Sequence, residues 1–218
     1  MNIKILQFYL SGERMSAYEI LAERKSLPIE KAVDLYLMNL AISEQLYSII
    51  SFLEVLLRNS IDKKMIEFKQ SDSWFDLIGW DFYHKRKIEE AIKYVESCRN
   101  IECIRRDQIV CNVTLGFWCN LFSRKYESVL WAPALQYIFK NSKSRPTRRH
   151  VIETLQTILE FRNRISHFEP IIKDEQKVLF VYKKSIEMIN WLSPEICEWI
   201  REFNRFESLY EQLAKCEF

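Results

Sequence analysis

The chain has 218 residues, 48% hydrophobic and 14% aromatic, enough apolar material to bury a sizeable core in one domain. Only 3 glycines and 5 prolines are present, whereas a β-rich fold of this length draws on many such residues for its tight turns, so the composition points to long helices with short connections. With 32 basic and 30 acidic residues the net charge is +2, which excludes a chain-wide field strong enough to draw the protein to nucleic acid; any RNA contact must come from a local basic patch.

The first ten residues carry one Lys and no cleavable apolar core, so no signal peptide is read, and no apolar run is expected to reach the length that crosses a bilayer. These readings predict a soluble, cytoplasmic protein. Residues 1–27 read as an N-terminal helical extension of a single domain spanning 1–218. Within it, a turn at Ser11-Gly12 precedes a helix over about 15–25, with Ser16 as N-cap and Glu19 three residues on. Pro28 suits the opening turn of a long helix, and residues 29–69 hold no Gly or Pro. Leu46, Ile49, Ile50, Leu53, Leu56 and Leu57 recur there at three- and four-residue steps, an amphipathic stripe.

Residues 70–82 read as a loop around Trp74, Phe75 and Trp80, followed by a helix over 83–99. Gly116 lies in an apolar, aromatic block over 115–122, and a helix over 126–139 is interrupted at Pro133. Residues 141–146 form a polar, basic linker. A helix then runs over about 147–169, ending there because Pro170 pushes its predecessor out of helical geometry. The stretch KVLFVY over 177–182 fits a short strand or a helix start, and the reading leans to helix; two closing helices split at Ser193-Pro194. The expected fold is an all-α multi-helix bundle with long amphipathic helices and little or no sheet, without internal repeats.

The six cysteines (Cys98, Cys103, Cys111, Cys119, Cys197, Cys216) form no CxxC pair, and no histidine stands at zinc-finger spacing from them. They read as reduced thiols of a cytosolic protein, and neither metal nor cofactor is expected. No Ser-His-Asp order, paired-carboxylate loop or phosphate-cradling glycine loop is present.

The chemistry-bearing residues gather before Pro170. Val151, Leu155, Ile158 and Arg162 are spaced 4, 3 and 4, so an arginine extends an apolar helical stripe. Unpaired in a closed core it would cost several kcal/mol, so it should meet a partner, a cleft or another subunit. Asn163 and His167 are four apart and share a face, but Arg162 and His167 lie about 140° apart on an ideal helix. Bringing both onto one phosphate needs a loosened last turn or a twofold-related copy. Arginine grips phosphate and stabilises charge building on it, and histidine moves a proton at neutral pH. RNA brings its own 2′-hydroxyl nucleophile, so this pair suffices for metal-independent strand cleavage that leaves a 2′,3′-cyclic phosphate. By spacing alone the pair equally fits a chance juxtaposition, with His167 merely facing terminal carbonyls.

From Phe161 the string FRNRISHFEPI closely resembles the RNRIxHHEPI stretch of the Abi-like family of bacterial abortive-infection proteins. In the same order, FLEVLLRN over 52–59 resembles the family's LEVxLRN helix. The block Leu115-Gly116-Phe117-Trp118, Leu121-Phe122, Tyr126-Glu127, Leu130-Trp131 is similar to its FGFW…LF…YE…LW, and Trp191-Leu192-Ser193-Pro194 to its WxSP. The resemblance implies a HEPN-type helical domain with an Arg-(polar)-x-x-x-His ribonuclease motif: Arg162 and His167 as catalytic pair, Asn163 as the polar residue positioning the site. It further implies an endoribonuclease of an antiphage or toxin-type system, working as a homodimer on RNA, with tRNA one candidate substrate and an antitoxin of protein or RNA. Membrane and DNA are not among these partners. Where many relatives have His-His, this chain has His167-Phe168, so a leaving-group acid supplied by the second histidine would have to come from elsewhere, for instance a dimer mate.

Supporting roles are read from position. Glu54 and Arg58 lie one turn apart, and Leu57-Arg58-Asn59 repeats the pattern of Phe161-Arg162-Asn163, so Glu54 or Asn59 could orient the site, or Glu54–Arg58 could be a plain surface ion pair. Lys143, Arg145, Arg148, Arg149 and His150, with Arg164 further on, could rail an RNA backbone toward His167, or form a solvated linker. The runs Lys85-Arg86-Lys87 and Arg105-Arg106 are weaker candidates. Phe117 and Trp118 fit base stacking or core packing. The rival functional classes are an RNA-binding or regulatory helical module without cleavage, and a membrane-acting effector, which the expected absence of an apolar span opposes.

Overall fold

With few glycines and long unbroken apolar registers, the chain satisfies its backbone N–H and C=O groups locally, inside helices. The computed structural model describes residues 3–99 and 104–218, and no strand occurs among them. The helices are α1 (Ile3–Leu10), α2 (Gly12–Arg24), α3 (Ala32–Lys69), α4 (Phe82–Arg99), α5 (Arg106–Asn112), α6 (Leu115–Asn120), α7 (Arg148–Ser166), α8 (Glu175–Leu192), α9 (Pro194–Phe203) and α10 (Phe206–Lys215). The all-helical expectation holds, and KVLFVY lies within α8. The described residues fall into two compact units, one of residues up to 51 with 160–186 and 197–218, the other of 52–159 with 187–196.

In the first unit, α2 starts earlier than read. Ser11, at φ 76, caps it by accepting from the Arg14 N–H at 3.3 Å, whereas Ser16 lies inside the helix and donates to the Glu13 carbonyl at 2.8 Å. The earlier start places Met15, fully buried, in the core. Pro28 precedes a 3-10 turn, Ile29–Lys31, which leads into α3. Leu35, Ile42 and Leu46 of α3 are buried, as are Tyr18 and Leu21 of α2 and Val178 and Val181 of α8. Tyr182 stacks on Phe206 with centroids 4.1 Å apart and donates to Glu207 at 2.9 Å. Beyond Ser193 there are two helices, α9 and α10, instead of the single one expected. The break at Asn204-Arg205 holds no Gly or Pro: Asn204 accepts from the Phe206 N–H at 3.0 Å, and the Gln45 side chain accepts from the Arg205 N–H at 3.0 Å.

The second unit is packed around aromatic rings. Trp74 stacks on Phe75 (3.9 Å), and Phe122, Trp131, Phe139 and Trp191 follow one another at centroid distances of about 6 Å. Phe117 and Trp118 are fully buried, which settles them as core. Helix α5, unread in the sequence, is capped by the Gln108 side chain accepting from the Arg105 N–H at 2.9 Å. The expected helix over 126–139 is instead a 3-10 turn Arg124–Tyr126, one π turn Glu127–Trp131 and a 3-10 turn Leu135–Tyr137. Pro133 has no N–H to offer the preceding turn, and the Ala132 N–H reaches back five residues to the Glu127 carbonyl at 2.9 Å, widening the coil while the aromatic side chains stay buried.

Within residues 29–69 an 18-residue window reaches a mean hydropathy of 1.5, so by length and composition this helix could cross a bilayer, contrary to expectation. One of its faces, including Ile42, Leu46, Ile49, Leu53 and Leu57, is buried within the protein. Cys103 lies outside the described residues; the other five cysteines are free thiols, with Cys119 and Cys197 buried.

The second unit also contains a fully buried His84. Its Nδ1 meets Asp81 Oδ1 at 2.8 Å and the Tyr126 hydroxyl at 3.1 Å, the Trp80 ring lies against it, and Lys125 pairs with the other oxygen of Asp81. Burial pushes the imidazole down to about 4, opposed only in part by the Phe117 backbone. The unfolded chain thus takes up a proton near pH 6.5 that the folded chain refuses until about pH 4. The His84 contribution to stability is expected to be level above pH 6.5 and to fall between 6.5 and 4 by on the order of 3 kcal/mol. Urea unfolding of wild type and His84→Asn across this range checks it: the difference between the two curves should vary with pH, and a constant difference would refute it.

Candidate functional site

The motif helix α7 is capped at its start by Thr147, whose hydroxyl accepts from the His150 N–H at 3.2 Å. Val151, Leu155 and Ile158 along its stripe are fully buried, while Arg162, the next residue on that line, is half-exposed. The helix closes at Ser166, three residues before the expected end. The His167 N–H still donates helically to the Asn163 carbonyl at 3.0 Å. Phe168 then turns left-handed (φ 55), its N–H reaching Ile165 at 2.9 Å, and the Glu169 N–H reaches back to Arg164 at 3.0 Å. This is a Schellman closure with a phenylalanine where glycine usually sits. The left-handed step follows His167, so the helix does not unwind before it, and Arg162 and His167 leave the axis about 140° apart.

Two residues that sequence reasoning missed hold this turn. Arg14 of α2 donates to the Phe168 carbonyl at 2.8 Å, a cation at the negative end of α7. Asn39 of α3, 2% exposed, donates to the Glu169 carbonyl at 3.3 Å and accepts from the Ile172 N–H at 3.3 Å. Asn39 occupies the core line Leu35–Asn39–Ile42–Leu46, and a carboxamide at such a position was the readable signal. For Arg14 the sequence held none.

The motif side chains face solvent. Asn163 and His167 are exposed, and His167 makes no side-chain hydrogen bond or ion pair among the described residues. Arg162 Nη1 reaches the Asn163 carboxamide oxygen only at 3.5 Å, leaving most of its donors for a ligand. Arg164 instead pairs with Glu169 at 2.9 Å and lies over the Phe161 ring, so it braces the turn. Replacing Phe168, 65% exposed, by glycine relieves the left-handed strain at no cost to the core; a gain of about 1 kcal/mol, or roughly 2–4 °C in Tm, is expected by thermal unfolding.

The remaining predicted residues lie in the second unit. Glu54 and Arg58 are half-buried and Asn59 is exposed; the Arg58 Nε is buried without a hydrogen-bond partner among the described residues, and the charge of Glu54, after burial itself, helps push the buried Cys119 thiol up. The basic cluster is largely engaged at home. Arg148 donates to the Phe122 carbonyl at 2.8 Å and pairs with Glu127 at 3.2 Å, Arg149 pairs with Glu153 at 2.7 Å, and Arg145 lies over Tyr137. Lys143 is exposed. Arg86 and Lys87 both pair with Glu90, Arg105 with Asp107, and Arg106 with Asp62 and Asp72. Comparison with family models, curated proteins and solved structures finds no match to this chain.

Among the described residues no three His, Cys, Asp or Glu side chains gather to hold a metal ion. What stands open at the end of α7 is one guanidinium, one carboxamide and one imidazole on a braced turn, groups able to grip a phosphate and move a proton.

Proposed function

We propose that the chain is an endoribonuclease of the abortive-infection type, cutting RNA by 2′-hydroxyl attack without a metal ion. The observation that carries the reading is the exposed His167, without a side-chain partner among the described residues and held at a fixed helix end five residues beyond the half-exposed Arg162. In this reading the imidazole takes the 2′-hydroxyl proton, and the guanidinium stabilises charge on the phosphate as the oxygen attacks. Asn163, within reach of Arg162, positions the guanidinium. The resemblance of FRNRISHFEPI to the Abi-like motif supports the same assignment.

Because α7 keeps His167 in helical register, a single turn does not aim both groups at one phosphate, which favours a site completed by a second copy of the chain. A cytoplasmic homodimer acting on RNA, with an antitoxin restraining it, belongs to the same proposal. Incubating the protein with total cellular RNA in EDTA tests it. Cleavage that leaves 2′,3′-cyclic phosphate and needs both Arg162 and His167 supports it; RNA binding with no cleavage favours a binding module.

A further inference from the structure

Phe168 carries two costs together, a left-handed backbone at φ 55 and a ring 65% exposed, and burial in the core offsets neither. Strained positions of this kind cluster at ligand clamps and active sites, where function keeps them. Phe168 lines a cleft of about 490 Å3 with Leu40, Ser43, Glu44, Tyr47, Ile165 and Ser166, a size typical of small-ligand sites. All seven residues belong to the same compact unit as Arg162 and His167. Tyr47 is 44% exposed, and the side chain of the exposed Glu44 makes no hydrogen bond or ion pair among the described residues.

We infer that this cleft is a subsite for one guanine base of single-stranded RNA, stacked on Phe168 and Tyr47 and read on its Watson–Crick edge by the Glu44 carboxylate. The inference rests on the ribonuclease reading, because Ser166 and Phe168, which line the cleft, flank His167 in the chain. Unstacked bases bind by stacking on aromatic rings and by hydrogen bonds along their edges, so two exposed rings beside a polar reader make a base site. A carboxylate offers two adjacent acceptors and no donor. Guanine alone presents two adjacent donors, N1–H and N2–H2, to match them. Adenine and cytosine set a ring-nitrogen acceptor beside the exocyclic amine, and uracil flanks N3–H with carbonyls, so each brings a lone pair against a carboxylate oxygen. The same carboxylate repels phosphate, so the base edge enters the cleft while the backbone is left to Arg162.

The test uses uridine octamers with a 2′-O-methyl on every ribose, which lack the attacking hydroxyl and report binding without cleavage. One central residue is guanosine, inosine or adenosine, and binding is followed by fluorescence anisotropy. Wild type is expected to prefer guanosine over adenosine by about tenfold, with inosine, which lacks the N2 amine, between them. Glu44→Gln should bring guanosine and adenosine within about twofold of each other. Phe168→Gly, which accepts the left-handed turn and so keeps it, should weaken guanosine binding by about tenfold. Equal binding of guanosine and adenosine by wild type, or a preference that survives Glu44→Gln, would overturn the inference. So would a Phe168→Gly variant with unchanged guanosine binding and a lower solution mass, since a second copy of the chain would then be the occupant. Guanosine preference without cleavage of the unmodified octamer removes the nuclease and keeps the subsite; cleavage without preference does the reverse.

Discussion

His167→Ala and Arg162→Ala are each expected to lower RNA cleavage by about 10²–10⁴-fold while leaving the unfolding midpoint nearly unchanged. The two effects separate because His167 is exposed and makes no side-chain hydrogen bond or ion pair among the described residues, and Arg162 reaches only its neighbour Asn163, at 3.5 Å. Loss of activity can then be assigned to chemistry. Arg162→Lys should recover only part of the rate, because an ammonium keeps the charge and loses the planar two-pronged grip on phosphate. The double variant should be scarcely worse than the poorer single one, as for groups acting in one step. If the two groups meet across two copies of the chain, mixing the inactive Arg162→Ala and His167→Ala proteins should restore partial cleavage, since a mixed dimer regains one intact pair. A preparation in which either variant cleaves at the wild-type rate would end the proposal.

Asn39→Ala should cost about 2–3 kcal/mol, lowering the urea midpoint by about 1 M. The carboxamide is 2% exposed and uses its oxygen on the Ile172 N–H and its amide on the Glu169 carbonyl, both at 3.3 Å. Removing it leaves the Ile172 N–H, on a fully buried residue, without its partner. Asn39→Asp is expected to be no better. It keeps an acceptor for Ile172 but sets a carboxylate against the Glu169 carbonyl in a site closed to water. Because this carboxamide ties down the chain just past His167, cleavage should fall in both variants even below their unfolding transitions. A midpoint within error of wild type for Asn39→Ala would show that the carboxamide does not hold the turn.

How much was legible in advance differs along the chain. The spacing of Leu46, Ile49, Ile50, Leu53 and Leu57 named the buried face of α3, with Leu56 of the same stripe only part-buried, and Val151, Leu155 and Ile158 that of α7, because a 3.6-residue period is written in side-chain type alone. The stretch 126–139 was misread because its apolar periodicity looks helical, while Pro133 and the burial of Trp131 and Phe139 favour a tighter and then a wider coil. The ion pairs of the basic cluster were not legible because sequence shows charge and not its partners; Glu127 and Glu153 lie close enough in space to take Arg148 and Arg149.

By itself the sequence determined an all-helical chain, the buried stripes of its long helices, and a guanidinium, carboxamide and imidazole gathered within six residues before Pro170. Only the tertiary structure decided where α7 stops and what stands around its end. A Schellman turn depends on which backbone groups find partners, and here those come from Arg14 and Asn39, residues more than a hundred positions away in the chain. Local propensity cannot encode such a closure, because its energy lies in hydrogen bonds that exist only once distant helices have packed.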